Sequence, residues 1–406
     1  MCAGRYQTNM AVPRDIVWEC KPHTLAKHRI VEGYLNAWYP ILIGQPWCKT
    51  LTYAEGFSGA GTYVGGNPGS PVIAAEIFLR RKHLAAGKTV NMVLVEEHPE
   101  RLARLKKEIA TPFQKYGIQD GPLVSYGEGE CGEKLLPALS QSGAWKGPIF
   151  AFLDSYGGPD VPFDVARAIG KNRSGEVLVT FGTNFLTRFG SRGEYQTAGD
   201  QAFGGQAWRK VYDLPGSEKK SFLVDAYRNS LNAAGFTYVL SFEMIDDTGS
   251  DLHLVFGTKD PLGLERMKDA MWHIDPVRGV RYRDPRMPDQ ATFELDMHPH
   301  LEPLCLEILR VLGDRPQTVE ELQRHTLLET VYRPPHATNA VKDLAKRALV
   351  ERSAGRLTRA TSVRATPEGR RRLAEATLPK NSPIAVPRTR ADARTGSIES
   401  ESDRLF

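Results

Sequence analysis

Short apolar runs of strand length alternate along the chain with stretches whose apolar residues recur every three or four positions. Leu25, Ile30, Val31, Tyr34, Leu35 and Trp38 have helical spacing, which predicts a helix over 24–39 ended by Pro40. Strand-like runs follow at 50–54, 89–95, 123–126, 148–153 and 177–181. Between them lie helical patterns at 70–81, opened by Ser70-Pro71, at 99–109 and at 132–139. Two more strands, 238–244 and 252–257, flank the polar turn Asp246-Asp247-Thr248-Gly249 and read as an antiparallel hairpin at one edge. Alternation of this kind predicts an α/β fold with a mostly parallel, doubly wound, Rossmann-like sheet.

The pattern changes near His298. Helices at 301–312, 319–325 and 337–352 precede short strands at 357–358 and 363–366 and a helix at 367–376, an order that predicts a winged helix. From Lys380 onward Pro, Ser, Arg and Asp dominate with few apolar anchors, as in a disordered tail. The expected organisation is an α/β domain over 1–296, a winged-helix domain over 297–378 and a tail over 379–406.

Composition narrows the class. Hydrophobic residues make up 41% and charged residues 25%, the balance of a globular protein. The net charge of +5 permits a nucleic-acid partner without requiring one, so the distribution of charge decides more than its sum. Five scattered cysteines without a C-x-x-C pair argue against a disulfide framework and a thiolate zinc site, so no metal is expected. A reducing cytoplasm suits them. Neither a signal-peptide pattern nor a run of membrane-spanning length is present, and no membrane partner is expected.

Candidate chemistry gathers where strands end. The first strand runs into Glu55-Gly56-Phe57-Ser58-Gly59-Ala60-Gly61, where Gly59 and Gly61 permit a sharp turn and close approach of a ligand. The third glycine of a dinucleotide fingerprint is missing, and Glu55 would repel a pyrophosphate. It would welcome the cationic amino-acid end of S-adenosylmethionine (SAM). Glu96 ends the second strand and suits ribose hydroxyls, while Glu97 and Glu100 read as acids favoured by a helix N-terminus. After the third strand Glu130, more than Glu128, is placed to reach an adenine amino group. Three acids at three successive strand ends converge on one crevice. The fourth strand delivers Asp154, which can accept a hydrogen bond from an exocyclic amino group, and Tyr156, which can stack on a base.

Together these residues resemble the three-Cys-motif partner protein family, which is identified by similarity with SAM-dependent methyltransferases. The resemblance rests on Lys21-Pro22-His23-Thr24 with Lys27-His28, Glu55 through Tyr63, Gly66-Asn67-Pro68-Gly69-Ser70-Pro71, Leu153-Asp154-Ser155-Tyr156-Gly157, Gly257-Thr258-Lys259-Asp260-Pro261 and Met267-Lys268-Asp269-Ala270-Met271-Trp272. It implies a partner protein carrying a three-cysteine motif. More distantly, the Lys27-His28 helix and the Gly59-x-Gly61-x-Tyr63 turn resemble ribosomal-RNA adenine-N6 methyltransferases. That likeness implies SAM contact by His28 and a catalytic role for Asp154. Two departures stand out. Glu55 replaces the family's usual Asp, and Asp154-Ser155-Tyr156-Gly157 lacks the prolines of D-P-P-Y or D-P-F-G, which help aim carbonyls at an amino group.

Eleven basic residues face three acids between 332 and 372. Thr338, Asn339, Lys342 and Lys346 share one predicted helix face, with Val341, Leu344 and Leu349 on the other. Asn339, Lys342 and Lys346 are therefore candidate contacts to RNA or DNA, with wing arginines on phosphates. The leading expectation is a SAM-dependent methyltransferase acting on a nucleic-acid base. A regulator with a non-catalytic SAM-like domain, or a methyltransferase of a partner protein, would carry the same features.

Overall fold

Strands that are apolar at nearly every position must be covered on both faces, and the central strands here are buried along almost their whole length. The computed structural model describes residues 15–118, 121–155, 158–189, 193–246, 251–283 and 298–376. In chain order the α/β region begins α1 (Pro22–Ile43), β1 (Thr50–Glu55), α2 (Ser70–Arg80), β2 (Thr89–Glu96), α3 (Pro99–Lys115), β3 (Leu123–Glu128), α4 (Cys131–Gln141) and β4 (Ile149–Leu153). It continues α5 (Phe163–Lys171), β5 (Gly175–Phe181), α6 (Asn184–Phe189), α7 (Gly193–Phe203), α8 (Gly216–Ala233), β6 (Tyr238–Ile245), β7 (Asp251–Thr258), α9 (Pro261–Ile274) and β8 (Arg281–Arg283).

The eight strands form one sheet in the order β3-β2-β1-β4-β5-β7-β6-β8. β1 to β5 are mutually parallel, and β7 runs antiparallel to both β5 and β6. The direction of winding reverses between β1 and β4, the place where open α/β sheets form a ligand crevice. Alternate residues serve opposite cores. Leu51, Tyr53, Met92, Leu94, Phe150 and Phe152 pack under α1, α2, α3 and α9, while Ala54, Val93, Val95, Ala151 and Leu153 pack against α4, α5 and α8.

Three expectations need correction here. α1 runs through Pro40 to Ile43. Proline removes the N–H that Asn36 O would accept, and the Arg81 guanidinium takes that carbonyl instead at 2.7 Å, so the turn keeps its hydrogen bonding. The β6–β7 hairpin does not close the sheet, because β8 pairs in parallel beyond β6; most of its polar turn lies outside the described residues. The helices α5 to α9 were not anticipated, being masked by short or weakly periodic apolar patterns.

The C-terminal region comprises α10 (Glu302–Leu312), β9 (Gln317–Thr318), α11 (Val319–Glu329), α12 (Pro334–Lys346), β10 (Val350–Arg352), β11 (Ser362–Ala365) and α13 (Pro367–Glu375). A small antiparallel sheet, β10-β11-β9, leans on the helices over a core of its own. α12 starts at Pro334 and stops at Lys346, because Ala348 adopts a left-handed φ of 55° and turns the chain into β10. Residues 357–358 form no strand, and the expected tail at 379–406 lies outside the described residues.

α9 joins the two regions. Lys268, fully buried on its apolar face, donates to the backbone carbonyls of Leu327 in the last turn of α11 and of Thr330 and Tyr332 just beyond it. Trp272 belongs to the C-terminal core and donates Nε1–H to Val331 O at 2.9 Å. Arg333 reaches Asp269 at 3.4 Å and lies over the Trp272 ring. Three carbonyl acceptors meet the three N–H donors of one ammonium. Lys268→Met is therefore expected to lower stability by about 2–4 kcal/mol in urea unfolding, since buried acceptors lose their donors. A loss below about 1 kcal/mol would contradict this joint.

Candidate active site

Strand register places the chemistry. Glu55 stands level with Leu94 on β2 and Phe152 on β4, so Glu96 and Asp154 emerge two residues further along. Two-residue steps keep the same side, and all three acids face α1. Leu178 is level with Phe152, which brings Thr180 beside Asp154 by the same step. Glu55 is thus recessed beneath the rim and only 1% exposed.

Among the described residues Glu55 has no cationic partner. Tyr53 donates its phenol to Oε1 and Ser70 donates its hydroxyl to Oε2 at 3.1 Å. Burial pushes its pKa up to about 8, with the charge of Asp154 adding to the rise, although both hydrogen bonds pull it down. Such a group holds a proton at neutral pH and yields it to an arriving positive charge.

The glycine turn is tied to β2. Ser58 N–H donates to Val95 O at 2.9 Å, and Gly59 N–H donates to Glu96 Oε2 at 2.8 Å. The other Glu96 oxygen accepts His98 N–H at 3.0 Å, so Glu96 ties the glycine turn to the start of α3. Gly59 and Gly61 have φ of 63° and 76°, a region that favours glycine. A Cβ at Gly61 would strike Leu105, whereas one at Gly59 would meet open space. Packing requires glycine at 61, whereas at Gly59 only the positive φ does, and the space beside it is open.

Asp154 is held by an ion pair. Lys27 Nζ donates to Oδ2 at 2.6 Å and Thr180 donates its hydroxyl to Oδ1 at 2.6 Å. Burial acts to raise its pKa, but the Lys27 charge and these two hydrogen bonds outweigh it and hold the carboxyl low, ionised. His28 lies next along α1, 4% exposed and tilted against Tyr63. Burial, reinforced by Lys27, pushes its pKa down to about 4, so the imidazole is neutral. Its Nδ1 and the Ser58 hydroxyl are buried with no hydrogen-bond partner among the described residues. Ser155, standing where the related motifs have proline, closes a tight turn. Its hydroxyl donates to Gly158 O at 3.2 Å and Gly158 N–H returns to Ser155 O at 3.1 Å. Tyr156 lies outside the described residues.

Glu130 caps α4 from an exposed position and faces other carboxylates. Burial and the charges of Glu97 and Glu133 raise its pKa. Asp160, beyond the Ser155 turn, is pushed up to about 6 by burial and by Glu97 and Glu130. The charge of Glu97, just before α3, is thus felt at both Glu130 and Asp160. Glu302, Cys305 and Asp343 also converge, but the Arg347 guanidinium spans the two carboxylates at 2.7 and 3.0 Å.

On α12 Asn339, Lys342 and Lys346 form an exposed stripe away from the crevice. Thr338 leaves that stripe, half-buried, accepting from Gln323 at 2.8 Å. Lys342, Lys346, Arg356, Arg359 and Arg364 have no acidic partner among the described residues. By contrast Arg347, Arg371 and Arg372 are bridged to acids.

Lys27, Thr180 and Asp160 escaped the sequence reading. Each left a signal: a lysine on the apolar face of a helix, a threonine inside an apolar strand, an aspartate after a Gly-Gly-Pro turn.

No family model matches the chain, and no curated protein matches it. Among solved structures it overlaps an O-methyltransferase from Bacillus cereus in complex with SAH, at 12% identity over 56% of this chain and 80% of that one, TM-score 0.29. It also overlaps the cyclopropane synthase MmaA2 from Mycobacterium tuberculosis, at 12% identity over 62% and 70%, TM-score 0.25. The SAH-bound methyltransferase PaMTH1 from Podospora anserina gives 14% identity over 55% and 78%, TM-score 0.22. Overlaps this slight say nothing of the chemistry, which rests on the residues above.

Glu55 generates a pH signature. Its folded pKa, about 8, lies above the ordinary 4.5, so its contribution to stability is full at acid pH and drains away as pH rises from about 4.5 through about 8. Glu176, at the opposite end of the sheet, is raised by burial to about 7 and adds a background to the same window. Glu55→Gln is expected to flatten urea-unfolding stability above pH ~6 and to exceed the native chain at pH ~8.5 by on the order of a few kcal/mol. Superimposable profiles would contradict an acid buried without a cation.

Proposed function

We propose that the chain is a SAM-dependent methyltransferase whose acceptor is a nucleic-acid base. The observation that carries this reading is the convergence, on one face of one crevice, of Glu55, Glu96 and Asp154 with Lys27 and His28, beside the open space above Gly59. The donor set suits the cofactor. A proton-holding Glu55 faces the cationic amino-acid end, directly or through water. Glu96 keeps lone pairs for ribose, and Glu130 with Asp160 offers acceptors to an adenine amino group. His28 Nδ1 and Ser58 Oγ are polar atoms in want of a partner.

When bound, SAM supplies a methyl group on a sulfonium, open to attack by a nitrogen lone pair. The protein's part is to position the acceptor and handle its proton. Asp154, kept ionised by Lys27 and aimed by Thr180, has lone pairs left to accept an N–H of an exocyclic amine and to take its proton as positive charge develops there. Lys27 is the positioning residue. Tyr156 is proposed to stack on the base.

The C-terminal region is proposed to be a winged helix, with α12 as reader and the β10–β11 hairpin as wing. Its unpartnered Lys342, Lys346, Arg356, Arg359 and Arg364 suit a phosphate backbone. The base is then flipped toward Asp154. A partner bearing a three-cysteine motif and a cytoplasmic setting belong to the same proposal. The four described cysteines are free, and no described helix is long and apolar enough to cross a membrane.

One observation favours a second reading. Both Asp154 oxygens already accept hydrogen bonds within the protein, as they would in a binding protein whose ion pair is purely structural. Radiolabelled SAM offered to RNA, DNA and protein fractions separates the two. Asp154→Ala is expected to cut transfer at least about 100-fold while SAM affinity stays within about threefold. Equal loss of both, or no label from the native chain, would favour the second reading, and label in protein alone would move the acceptor to a peptide.

The reader helix has its own test. Replacing Lys342 and Lys346 together with Ala should weaken nucleic-acid binding and make the log–log salt dependence shallower by about 1–2. An unchanged slope would take α12 out of the interface.

A further inference from the structure

The first turns of α1 present two faces. Lys27 and His28 serve the crevice. Pro22, Leu25 and Arg29 instead line a cavity of about 300 Å³ whose far wall is His273 and Ile274, at the end of α9, and Tyr282 of β8. No acid lines it. Arg29 and, beside Tyr282, Arg283 are exposed and have no acidic partner among the described residues. A neighbouring cavity of about 240 Å³, on the other side of Leu25, is balanced in charge, with Glu32 and Glu76 set against Arg29 and Arg80.

We propose that the first cavity seats one nucleotide of a single strand, adjacent to the nucleotide being modified, with its base against Tyr282 and His273 and its phosphate on Arg29. The inference rests on the methyltransferase reading and names where its substrate runs. The volume is that of a small-ligand site. Aromatic faces hold an unstacked base without regard to sequence, and an arginine holds a phosphate through paired N–H donors. A flipped base leaves its neighbours unstacked, so a seat for one of them recovers part of that cost. The position fits too. Pro22 and Ala26 immediately precede His23 and Lys27, and His273 follows Trp272, whose indole holds the C-terminal region.

Photocrosslinking tests the inference on the full chain. A short single-stranded RNA carrying 4-thiouridine is irradiated with the protein, and the crosslinked peptides are mapped by mass spectrometry. Crosslinks are expected on the peptides bearing His273 or Tyr282 as well as on α12. Arg29→Glu, an exposed substitution, should cut the former about tenfold, leaving the α12 crosslinks and the thermal shift given by SAM unchanged. Crosslinks confined to the C-terminal region, or indifferent to Arg29, would overturn the cavity while sparing the methyltransferase reading. SAM binding with no crosslink anywhere would overturn the nucleic-acid acceptor as well. Poly-glutamate competing with equal affinity at the cavity would show that it reads charge alone, and would also overturn the proposal.

Discussion

A largely buried ion pair, Lys27 with Asp154, fastens the first helix to the rim of the sheet, and the site is built around it. Removing one partner of such a pair leaves a buried charge and costs about 3–5 kcal/mol. The pair therefore holds α1 over the crevice and, with it, His28 one residue on. It also holds the carboxylate's pKa down against burial, which acts to raise it. A single contact thus fixes geometry and protonation state together.

Around that pair, polar groups divide into those the protein satisfies and those it does not. Glu96 spends both oxygens on backbone N–H groups and shapes the glycine turn. Glu55 retains a proton for want of a cation, while His28 Nδ1 and Ser58 Oγ lack partners altogether. Those two unpartnered atoms lie beside the glycine turn and the Lys27–Asp154 pair, where a ligand could meet them. α9 extends the same logic outward. Lys268 and Trp272 fix the C-terminal region to the sheet, so the orientation of α12 relative to the crevice is set by packing.

Much of this was legible in the residues. Alternating periodicities yielded the parallel strands, and the acids at the ends of β1, β2 and β4 do share one face, as a two-residue side-chain period requires. Glu130 sits apart from them, with Asp160 and Glu97, because β3 lies at the sheet edge and α4 turns its cap outward. Less legible were features decided by tertiary partners. Pro40 fails to end α1 because Arg81, far along the chain, supplies the missing donor. Ala348 stops α12 through a backbone conformation that its side chain does not announce. Lys27 and Lys268 stood out only as parts of the resemblance, and their buried ion-pair and carbonyl partners depend on tertiary packing, though each stands among apolar residues of its helix.

The central claim is a crevice that exchanges a proton for a cationic nucleoside. Titrating the full chain with SAM at pH ~7 in buffers of different ionisation enthalpy measures this directly. Saturable binding with net proton release is the expected result, since Glu55 surrenders its proton when positive charge arrives. Absence of saturable heat, or net proton uptake, would contradict the account.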